Sequence, residues 1–475
     1  MRHRGVPTRW PSYLGRATKP PLGNARRMPW YQNHRRRPIL APTLLKPKID
    51  MKLSSEVFGI SNVVLQDSYV DRGYLDNEFD TYLNRAVHIA LRGESKCGKS
   101  WLRQMNVDNS IIVQCRLGRK AIDIYVDALS QLGIKLDLET NDGHRIKGTI
   151  KATGSVGTAL LGKLGIETSI GGEGASETKR SPVGKDVNDL KFISDIIQNS
   201  GKRLVIEDFH YMSYDERRNF AFDLKALWDY GTFVVIVGVW SRSNLLLHLN
   251  PDLTGRVQEI SIYWSDADLA KVLDKGARAL NIEFTDTFKT HAIERCFGNV
   301  GILQSLTLRS LDEAKIKEER RIKTTVGDID ILDSAAMHYA EQINPLYQQF
   351  ASRISKGIRY RKDSTGIYAH AMAVIMDADD KELIEGLSID HIYNIANERE
   401  PRIQKGNLRV ILERFETLQV DEDGRGLVLS YDESNRKVSV VDRQLLLYRK
   451  YSTVGWPWEE IINDANSDID YETEG

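Results

Sequence analysis

The chain has 475 residues, in which 66 lysines and arginines are balanced by 66 aspartates and glutamates. This length allows two to four domains with full cores, and no apolar run reaches the length of a membrane span. The three cysteines, Cys97, Cys115 and Cys296, are too widely spaced for a disulfide framework or a zinc site. A reducing, cytoplasmic location fits this composition best.

The first 50 residues differ in composition from the rest. They hold nine arginines, three lysines, one acidic residue and eight of the 13 prolines, which predicts a disordered segment. Residues 51–475 carry 54 basic and 65 acidic residues, a net charge of −11, which weakens any expectation of broad nucleic-acid affinity. The segment could be a basic arm for nucleic acid, a targeting peptide, or sequence upstream of a physiological start at Met51. We favour the last interpretation.

The lead-in over 55–85 predicts a turn followed by a helix. Arg72 lies in this turn and is a weak candidate for contacting the base or ribose of a nucleotide, the alternative being a surface arginine. The apolar run 86–91 that follows predicts a buried strand.

A glycine-rich stretch after this strand is the most informative motif in the chain. It contains Gly93-x4-Gly98-Lys99-Ser100 at the start of a predicted helix. In this pattern, backbone N–H groups surround phosphate oxygens, Lys99 supplies a positive charge, and the Ser100 hydroxyl can ligate Mg²⁺. We therefore predict a nucleotide site that comprises Gly93, Glu94, Ser95, Lys96, Cys97, Gly98, Lys99, Ser100 and Trp101.

The next predicted elements are a strand over 110–115 and a helix over 120–133. Residues 141–188 are rich in glycine, and no aromatic residue occurs between Tyr125 and Phe192. We interpret 141–188 as a flexible insertion. The alternative is a surface that becomes ordered against a partner or a neighbouring subunit.

Two acidic residues end the following strand. A helix over 189–200 precedes the apolar stretch 203–208, which terminates in Glu207 and Asp208. A buried central strand would deliver both carboxylates to the carboxyl edge of a sheet, beside the phosphate loop. We predict that Glu207 holds Mg²⁺ through water and that Asp208 positions or deprotonates an attacking water.

The remainder of the chain is predicted to add three regions. A helix over 214–229 and a strand over 232–238 complete the core, which extends to Ile262. Residues 263–335 are predicted to be helical. Three helices, at 368–376, 388–396 and 404–418, and a hairpin over 427–441 predict a winged helix within 336–460, followed by an acidic tail over 461–475.

The winged helix could contact DNA or protein. In a DNA reader the third helix enters the major groove, and glutamates on the same helix dilute its positive charge. We favour a protein-contacting role over sequence-specific DNA binding. The candidate contacts in either case are Arg402, Lys405, Asn407, Arg409 and Arg414.

This order of loop, paired acids, helical lid and winged helix resembles the AAA+/STAND ATPases of the additional-strand class, in the Orc1/Cdc6-like or archaeal-type STAND layout. Over residues 55–450 the resemblance implies an α/β fold, a P-loop NTPase αβα parallel sheet of strand order 5-1-4-3-2, with ATP and Mg²⁺ between core and lid. It also implies that Ser241 or Asn244 senses the γ-phosphate and that Arg256 is an arginine finger for a neighbouring subunit. The usual lid arginine is absent, which favours switch-like relatives over ring-forming motors.

The resemblance further implies a slow ATPase that acts as a molecular switch. Such a switch would self-associate with ATP and act with a protein effector, in a bacterial anti-phage or mobile-element system. Two alternatives stay open: a DNA-binding origin- or transposon-type ATPase, and a nucleotide-bound scaffold that does not hydrolyse ATP.

Overall fold

The computed structural model of this chain describes residues 51–141, 145–152, 154–164, 188–240, 243–357, 365–419 and 427–463. The predictions for residues 1–50, for Ser241, for 165–187 and for the tail beyond 463 lie outside these ranges. The strands are β1 (His88–Arg92), β2 (Ser110–Gln114), β3 (Ile134–Asn141), β4 (Arg145–Ala152), β5 (Arg203–Glu207), β6 (Val234–Gly238), β7 (Val257–Ser261), β8 (Ile282–Phe284), β9 (Thr324–Val326), β10 (Leu387–Ser388), β11 (Leu429–Asp432) and β12 (Lys437–Val440).

Helices surround these strands, and short 3₁₀ turns occupy Phe209–Tyr211 and Pro251–Leu253. The helices are α1 (Ser54–Val57), α2 (Tyr74–Leu83), α3 (Lys99–Asn106), α4 (Ala121–Gln131), α5 (Gly154–Lys163), α6 (Leu190–Ser200), α7 (Tyr214–Asp229), α8 (Leu245–Leu249), α9 (Asp266–Ala279), α10 (Asp286–Arg295), α11 (Val300–Glu313), α12 (Ile329–Lys356), α13 (Ile367–Asp377), α14 (Asp380–Glu385), α15 (Ile389–Arg399), α16 (Lys405–Glu413), α17 (Phe415–Gln419) and α18 (Gln444–Tyr451). No helix in the described ranges combines the length and apolar character needed to span a bilayer.

A five-stranded parallel sheet organises the first half of the fold. Its order is β2-β5-β6-β1-β7, with every neighbouring pair parallel. Counting only these five strands along the chain, the order is 5-1-4-3-2, so this prediction is confirmed. Because the strands are parallel, β1 and β5 both end at the same edge, where the phosphate loop and the acidic pair follow them.

Side chains alternate between the two faces of the sheet. On β5, Leu204 and Ile206 pack with the core of α4, α6 and α7, whereas Val205 packs with the core of α2 and α3. Helices therefore cover both faces, as expected for a parallel sheet whose central strands β1, β5 and β6 are mostly buried. This three-layer arrangement confirms the predicted αβα fold.

The segment predicted as a flexible insertion is partly structured. It begins inside the β3–β4 hairpin and continues into α5, whose Leu160 and Leu161 are buried in the core beside α4 and α6. A Cβ atom on Gly157 would lie 2.3 Å from the carbonyl oxygen of Gly133. Glycine at this position allows close packing rather than flexibility, so the prediction is wrong for β4 (Arg145–Ala152) and α5 (Gly154–Lys163).

The predicted boundary between lid and winged helix, at 335/336, is also wrong. It falls inside α12, a 28-residue helix that continues through Pro345. One hydrophobic core extends from Phe58 and the helices α9–α12 to α18 and Trp458. Three smaller differences accompany this one: α1 packs with the lid rather than the ATPase core, β8 and β9 form a parallel pair within the region predicted as helical, and the third helix is divided at Arg414 into α16 and α17.

A substitution at Gly276, on α9, tests how closely this shared core is packed. A Cβ atom there would lie 2.2 Å from Cζ of Phe58, a fully buried ring. Glycine to alanine in a helix normally stabilises by about 1 kcal/mol, but overpacking costs about 1–3 kcal/mol. We expect Gly276→Ala to lower the midpoint of urea unfolding. Gly162→Ala on α5, where no atom lies within 4 Å of the added Cβ, should leave it unchanged or raise it; equal behaviour of the two variants would contradict the packing described.

Candidate nucleotide site

The loop between β1 and α3 turns back on itself around a lysine. Gly98 is left-handed, with φ 92°, and a Cβ atom on Gly93 would lie 2.6 Å from Sγ of Cys97. Inside this turn, Nζ of Lys99 donates to the carbonyl oxygens of Gly93 at 3.1 Å and Glu94 at 2.5 Å. The Lys99 ammonium is thereby held at the centre of the loop, next to the space into which phosphates would enter.

The first acid of the pair joins the loop helix to the acidic strand. Glu207 accepts a hydrogen bond from Ser100 Oγ through Oε2 at 3.1 Å and forms a buried ion pair with Arg103 Nε through Oε1 at 3.0 Å. One carboxylate and one hydroxyl match the few protein ligands that Mg²⁺ takes when phosphates and waters supply the others. Across the described ranges, no group of three or more His, Cys, Asp or Glu forms a metal site of its own.

The second acid has an unusual backbone. Asp208 is left-handed, with φ 55°, a conformation that aspartate tolerates better than most residues. Its Oδ2 accepts a hydrogen bond from the side-chain amide of Gln114, on β2. Burial, reinforced by the charge of Glu207, raises the pKa of Asp208, while Lys99 and Gln114 oppose the shift. Asp208 is therefore a stronger proton acceptor than an ordinary surface aspartate.

One cavity brings these groups together. Its volume is about 430 Å³, within the range of small-molecule sites, and residues 95–101 of the loop line it together with Glu207 and Asp208. Outside the loop and the acid pair, the wall includes Arg72, His210, Trp264, Gln304, Asp442 and Gln444. The loop, the acidic pair and the C-terminal region thus share one cavity.

Hydrogen bonds attach the lead-in segment to the lid and to the loop helix at the cavity wall. Gln304 on α11 accepts a hydrogen bond from the backbone N–H of Gly59 at 3.0 Å and donates to Ser68 Oγ at 2.9 Å. Nε1 of Trp101 donates to the carbonyl oxygen of Ser61 at 2.9 Å. These bonds fix the lead-in backbone beside the loop.

Arg72 occupies the cavity wall and is not a surface residue. Its guanidinium lies 4.1 Å from the ring centroid of Trp264, and Trp264 Nε1 donates to the carbonyl oxygen of Cys97 at 2.9 Å. The side chain is only 5% exposed, and burial lowers the pKa of its guanidinium. The weak candidate from the sequence therefore lies at the cavity, stacked against a residue that touches the loop.

The lid contacts the loop through the start of α11. Asn299 caps this helix and donates to the carbonyl oxygen of Ser95 at 2.9 Å, and the backbone N–H of Gly301 donates to the carbonyl oxygen of Lys96 at 3.1 Å. A Cβ atom on Gly301 would lie 2.5 Å from Cβ of Lys96. Glycine at 301 is what permits this close approach.

The C-terminal region contacts the same loop through side chains. Arg443 forms an ion pair with Glu94, and Lys96 Nζ donates to Gln444 Oε1 at 2.8 Å. Burial raises the pKa of Glu94 to about 7, against the opposing charge of Arg443 and a hydrogen bond from Asn299. The loop is therefore held by residues more than 300 positions away in the sequence.

The chain matches no protein-family model and no curated protein. Among solved structures it is similar to the Aeropyrum pernix Orc1 protein in complex with DNA (11% identity, TM-score 0.33, 81% of this chain and 93% of that one). It is also similar to Cdc6p from Pyrobaculum aerophilum (9%, 0.36, 87% and 99%) and to a STAND protein with a tetratricopeptide repeat sensor from Pyrococcus horikoshii (12%, 0.33, 88% and 47%). Sequence identities and TM-scores this low do not support any transfer of function to this chain. The fold is assigned from the strand order of the sheet and from the loop between β1 and α3.

The chain has the αβα fold of P-loop NTPases. Two of its predicted catalytic residues lie away from the cavity of this fold. Asn244 precedes α8, is exposed, and its backbone N–H donates to Glu259 Oε1 at 2.9 Å. Arg256 precedes β7 at the edge opposite the loop, because Val257 is in register with His88 and Ser261 with Arg92. Its guanidinium stacks 4.7 Å from the Trp228 ring centroid and donates to the carbonyl oxygen of Asp252 at 2.6 Å.

The residues predicted to contact nucleic acid or a partner lie on α16 or next to it in the sequence. Three of the five carry a carboxylate neighbour: Arg402 pairs with Glu400 at 2.8 Å, Arg409 pairs with Glu413 at 2.8 Å, and Lys405 pairs with Asp390. Arg414 lies at the break between α16 and α17, and Asn407 is exposed. DNA phosphates would have to displace these carboxylates, so the arrangement favours DNA less than the list of residues suggests.

Several residues of the P-loop site were not found from the sequence. His210 was not predicted as a site residue, and its position two residues beyond Asp208 was the available signal. Gln304, Arg443 and Gln444 carried no recognisable pattern, since only the folded chain brings them to the loop.

The raised pKa of Glu94 predicts a pH dependence of stability. Between its ordinary value of 4.5 and about 7, the unfolded chain has released the Glu94 proton while the folded chain retains it. Stability should therefore fall as pH rises across this window. We expect Glu94→Gln to remove this part of the slope in urea unfolding between pH 5 and 7.5. Glu283→Gln, which removes an exposed carboxylate paired with Lys323, should keep the wild-type slope. A slope unchanged by Glu94→Gln would contradict the raised pKa.

Proposed function

We propose that this protein binds ATP with Mg²⁺, hydrolyses it slowly, and works as a nucleotide-dependent molecular switch. The observation that carries the proposal is the convergence of Lys99, Ser100, Glu207 and Asp208 on one cavity of about 430 Å³. These groups come from the loop and from the strand two places away in the sheet, and together they supply the charge, the metal ligands and the base that phosphoryl transfer requires.

Each side chain has a defined task in this proposal. Lys99 would exchange its bonds to loop carbonyls for contacts with the terminal phosphates, and Ser100 with Glu207 would hold Mg²⁺, which would supply further positive charge at this place. Asp208 orients the attacking water and accepts its proton, for which its raised pKa suits it. Gln114 donates a hydrogen bond to the Asp208 carboxylate, which fixes the orientation of the carboxylate and uses part of its capacity to accept hydrogen bonds. This arrangement is consistent with slow hydrolysis.

The contacts of the C-terminal region support the switch. Arg443 and Gln444 contact Glu94 and Lys96 of the phosphate loop, so a change in the loop on binding or hydrolysis would be transmitted to the elements between α12 and α18. The order helix α13, strand β10, helices α15–α17 and the β11–β12 hairpin supports a winged helix there. A two-state switch requires contacts that differ between its two states, and we propose that the contacts of Arg443 and Gln444 with the loop are of this kind.

The finer parts of the proposal rest on the resemblance to AAA+/STAND ATPases. They are self-association with ATP, a protein effector, a cytoplasmic location, and a setting in a bacterial anti-phage or mobile-element system. A DNA-loading ATPase is the rival, and the carboxylates beside Arg402, Lys405 and Arg409 weigh against it.

Nucleotide binding and turnover separate the switch from a passive scaffold. We expect Lys99→Ala to weaken ATP binding by at least about tenfold, because it removes charge-assisted contacts to phosphate. Asp208→Asn should keep ATP affinity within about twofold and lower turnover by about 10²-fold. Calorimetric titration with ATP·Mg²⁺ and release of inorganic phosphate measure the two effects. Lys202→Ala and Asp229→Asn, exposed residues outside the cavity, serve as matched controls; unaltered turnover in Asp208→Asn would favour the scaffold.

Self-association tests the role of Arg256. At the sheet edge opposite its own loop, Arg256 can contact a phosphate only in a neighbouring subunit. We expect light scattering to show growth of the wild type with ATP·Mg²⁺ and no growth of Arg256→Ala. Arg278→Ala, which removes an exposed arginine side chain on α9, should grow like the wild type. If Arg256→Ala also grows, the arginine stabilises only its own subunit through Trp228 and Asp252.

A further inference from the structure

His210 lines the candidate phosphate site. Neither the phosphate-loop motif nor the roles proposed above assign it a task. It lies in the 3₁₀ turn Phe209–Tyr211, directly after the acidic pair, and it lines the cavity. Strand β6 lies between β5 and β1 in the sheet. The backbone N–H of Val239, just beyond the end of β6, donates to His210 Nδ1 at 3.3 Å. The ring is therefore attached in front of β6, between the strand that carries the acids and the strand that carries the loop.

This hydrogen bond determines which ring nitrogen carries the proton. A backbone N–H can only donate, so Nδ1 must accept and the neutral ring carries its proton on Nε2. Burial, together with the charges of Lys99 and Arg217, lowers the pKa of His210 to about 4, and the ring is therefore neutral at physiological pH. His210 thus offers one N–H donor to the cavity, within the electrostatic range of Lys99.

A second histidine, His88 on β1, also accepts a hydrogen bond from the backbone of β6 and shows what a purely structural role looks like. His88 accepts a hydrogen bond at Nδ1 from the backbone N–H of Val234, at the other end of β6, at 3.0 Å. Its Nε2 then donates to the carbonyl oxygen of Leu224 at 2.9 Å, and the ring is fully buried. Both nitrogens of His88 are satisfied by backbone in the core, whereas His210 uses the same Nδ1 contact at the cavity wall.

The end of β6 accommodates this arrangement. A Cβ atom on Gly238 would lie 3.5 Å from the backbone nitrogen of His210 and 2.5 Å from the ring of Trp240. Val237 and Val239 are the other cavity-lining residues of this strand end within the described ranges, and both are apolar. His210 therefore supplies a polar side chain to the cavity wall beside the end of β6.

Resting on the proposed nucleotide binding, we propose that Nε2–H of His210 donates a hydrogen bond to the terminal phosphate of bound ATP. The same donor has no partner of this kind in ADP. His210 thereby makes the site respond to the presence of the γ-phosphate. No proton is transferred in this role, and Asp208 remains the acceptor for the attacking water.

Two substitutions in the full chain test the assignment. His210→Phe keeps the ring shape and removes the donor, and His210→Gln restores an N–H donor on an uncharged side chain. Affinities for β,γ-imido-ATP·Mg²⁺ and for ADP·Mg²⁺ are measured by calorimetry. We expect His210→Phe to weaken binding of the ATP analogue about tenfold to a hundredfold while ADP affinity changes less than twofold. His210→Gln should recover most of the loss, and His248→Phe, an exposed histidine on α8 outside the cavity, should match the wild type.

The outcomes separate this inference from the proposed function. Equal weakening of both nucleotides by His210→Phe would assign the ring a structural role like that of His88 and overturn the inference. Unchanged affinity for the ATP analogue would overturn it as well, with Lys99→Ala showing that the assay detects loss of a phosphate contact. If the wild type binds neither nucleotide, the proposed function fails and the inference fails with it.

Discussion

The Glu207 carboxylate is the interaction on which the candidate site depends. Ser100 and Arg103 lie three residues apart on α3 and hold different oxygens of this one group, at 3.1 and 3.0 Å. The contacts tie the start of the loop helix to the end of β5, so the loop cannot move independently of the acidic strand. Removing one partner of a buried ion pair costs about 3–5 kcal/mol, because the remaining charge is left without compensation. Since Arg103 engages only Oε1, its pair can persist when the oxygen shared with Ser100 is engaged by something else.

The loop divides its residues between two tasks. The positions fixed by the motif, Lys99 and Ser100, point toward the acids and the cavity. The variable positions Glu94 and Lys96 contact Arg443 and Gln444 of the C-terminal region, and Lys96 has a left-handed backbone with φ 62°. Neighbouring side chains of one short segment therefore line the candidate phosphate site and contact the C-terminal region. A change in the loop backbone would affect both sets of contacts.

What the sequence predicted follows from local pattern. The apolar strands, the loop and the acidic pair each occupy one continuous stretch, so the αβα sheet and its order 5-1-4-3-2 could be predicted. What it missed depends on distant packing. The glycines of 141–188 were interpreted as flexible because a sequence does not show that Gly157 meets Gly133. Likewise the boundary at 335/336 was missed because no local pattern in the sequence shows that α12 runs across it and continues through Pro345. The contacts of Gln304, Arg443 and Gln444 with the site had no local signal at all.

The order of the acidic pair, glutamate before aspartate, has a structural explanation. Glu207 is the last residue of β5 and needs its longer side chain to reach both Ser100 and Arg103. Asp208, the next residue, leaves the strand in a left-handed turn, which a short side chain that bonds locally tolerates well. This turn places Phe209 in the core and brings His210 in front of β6. Each residue of the sequence Glu-Asp-Phe-His therefore suits its position. A long acidic side chain ends the strand, a short one forms the turn, an apolar side chain packs in the core, and an imidazole ring lines the cavity.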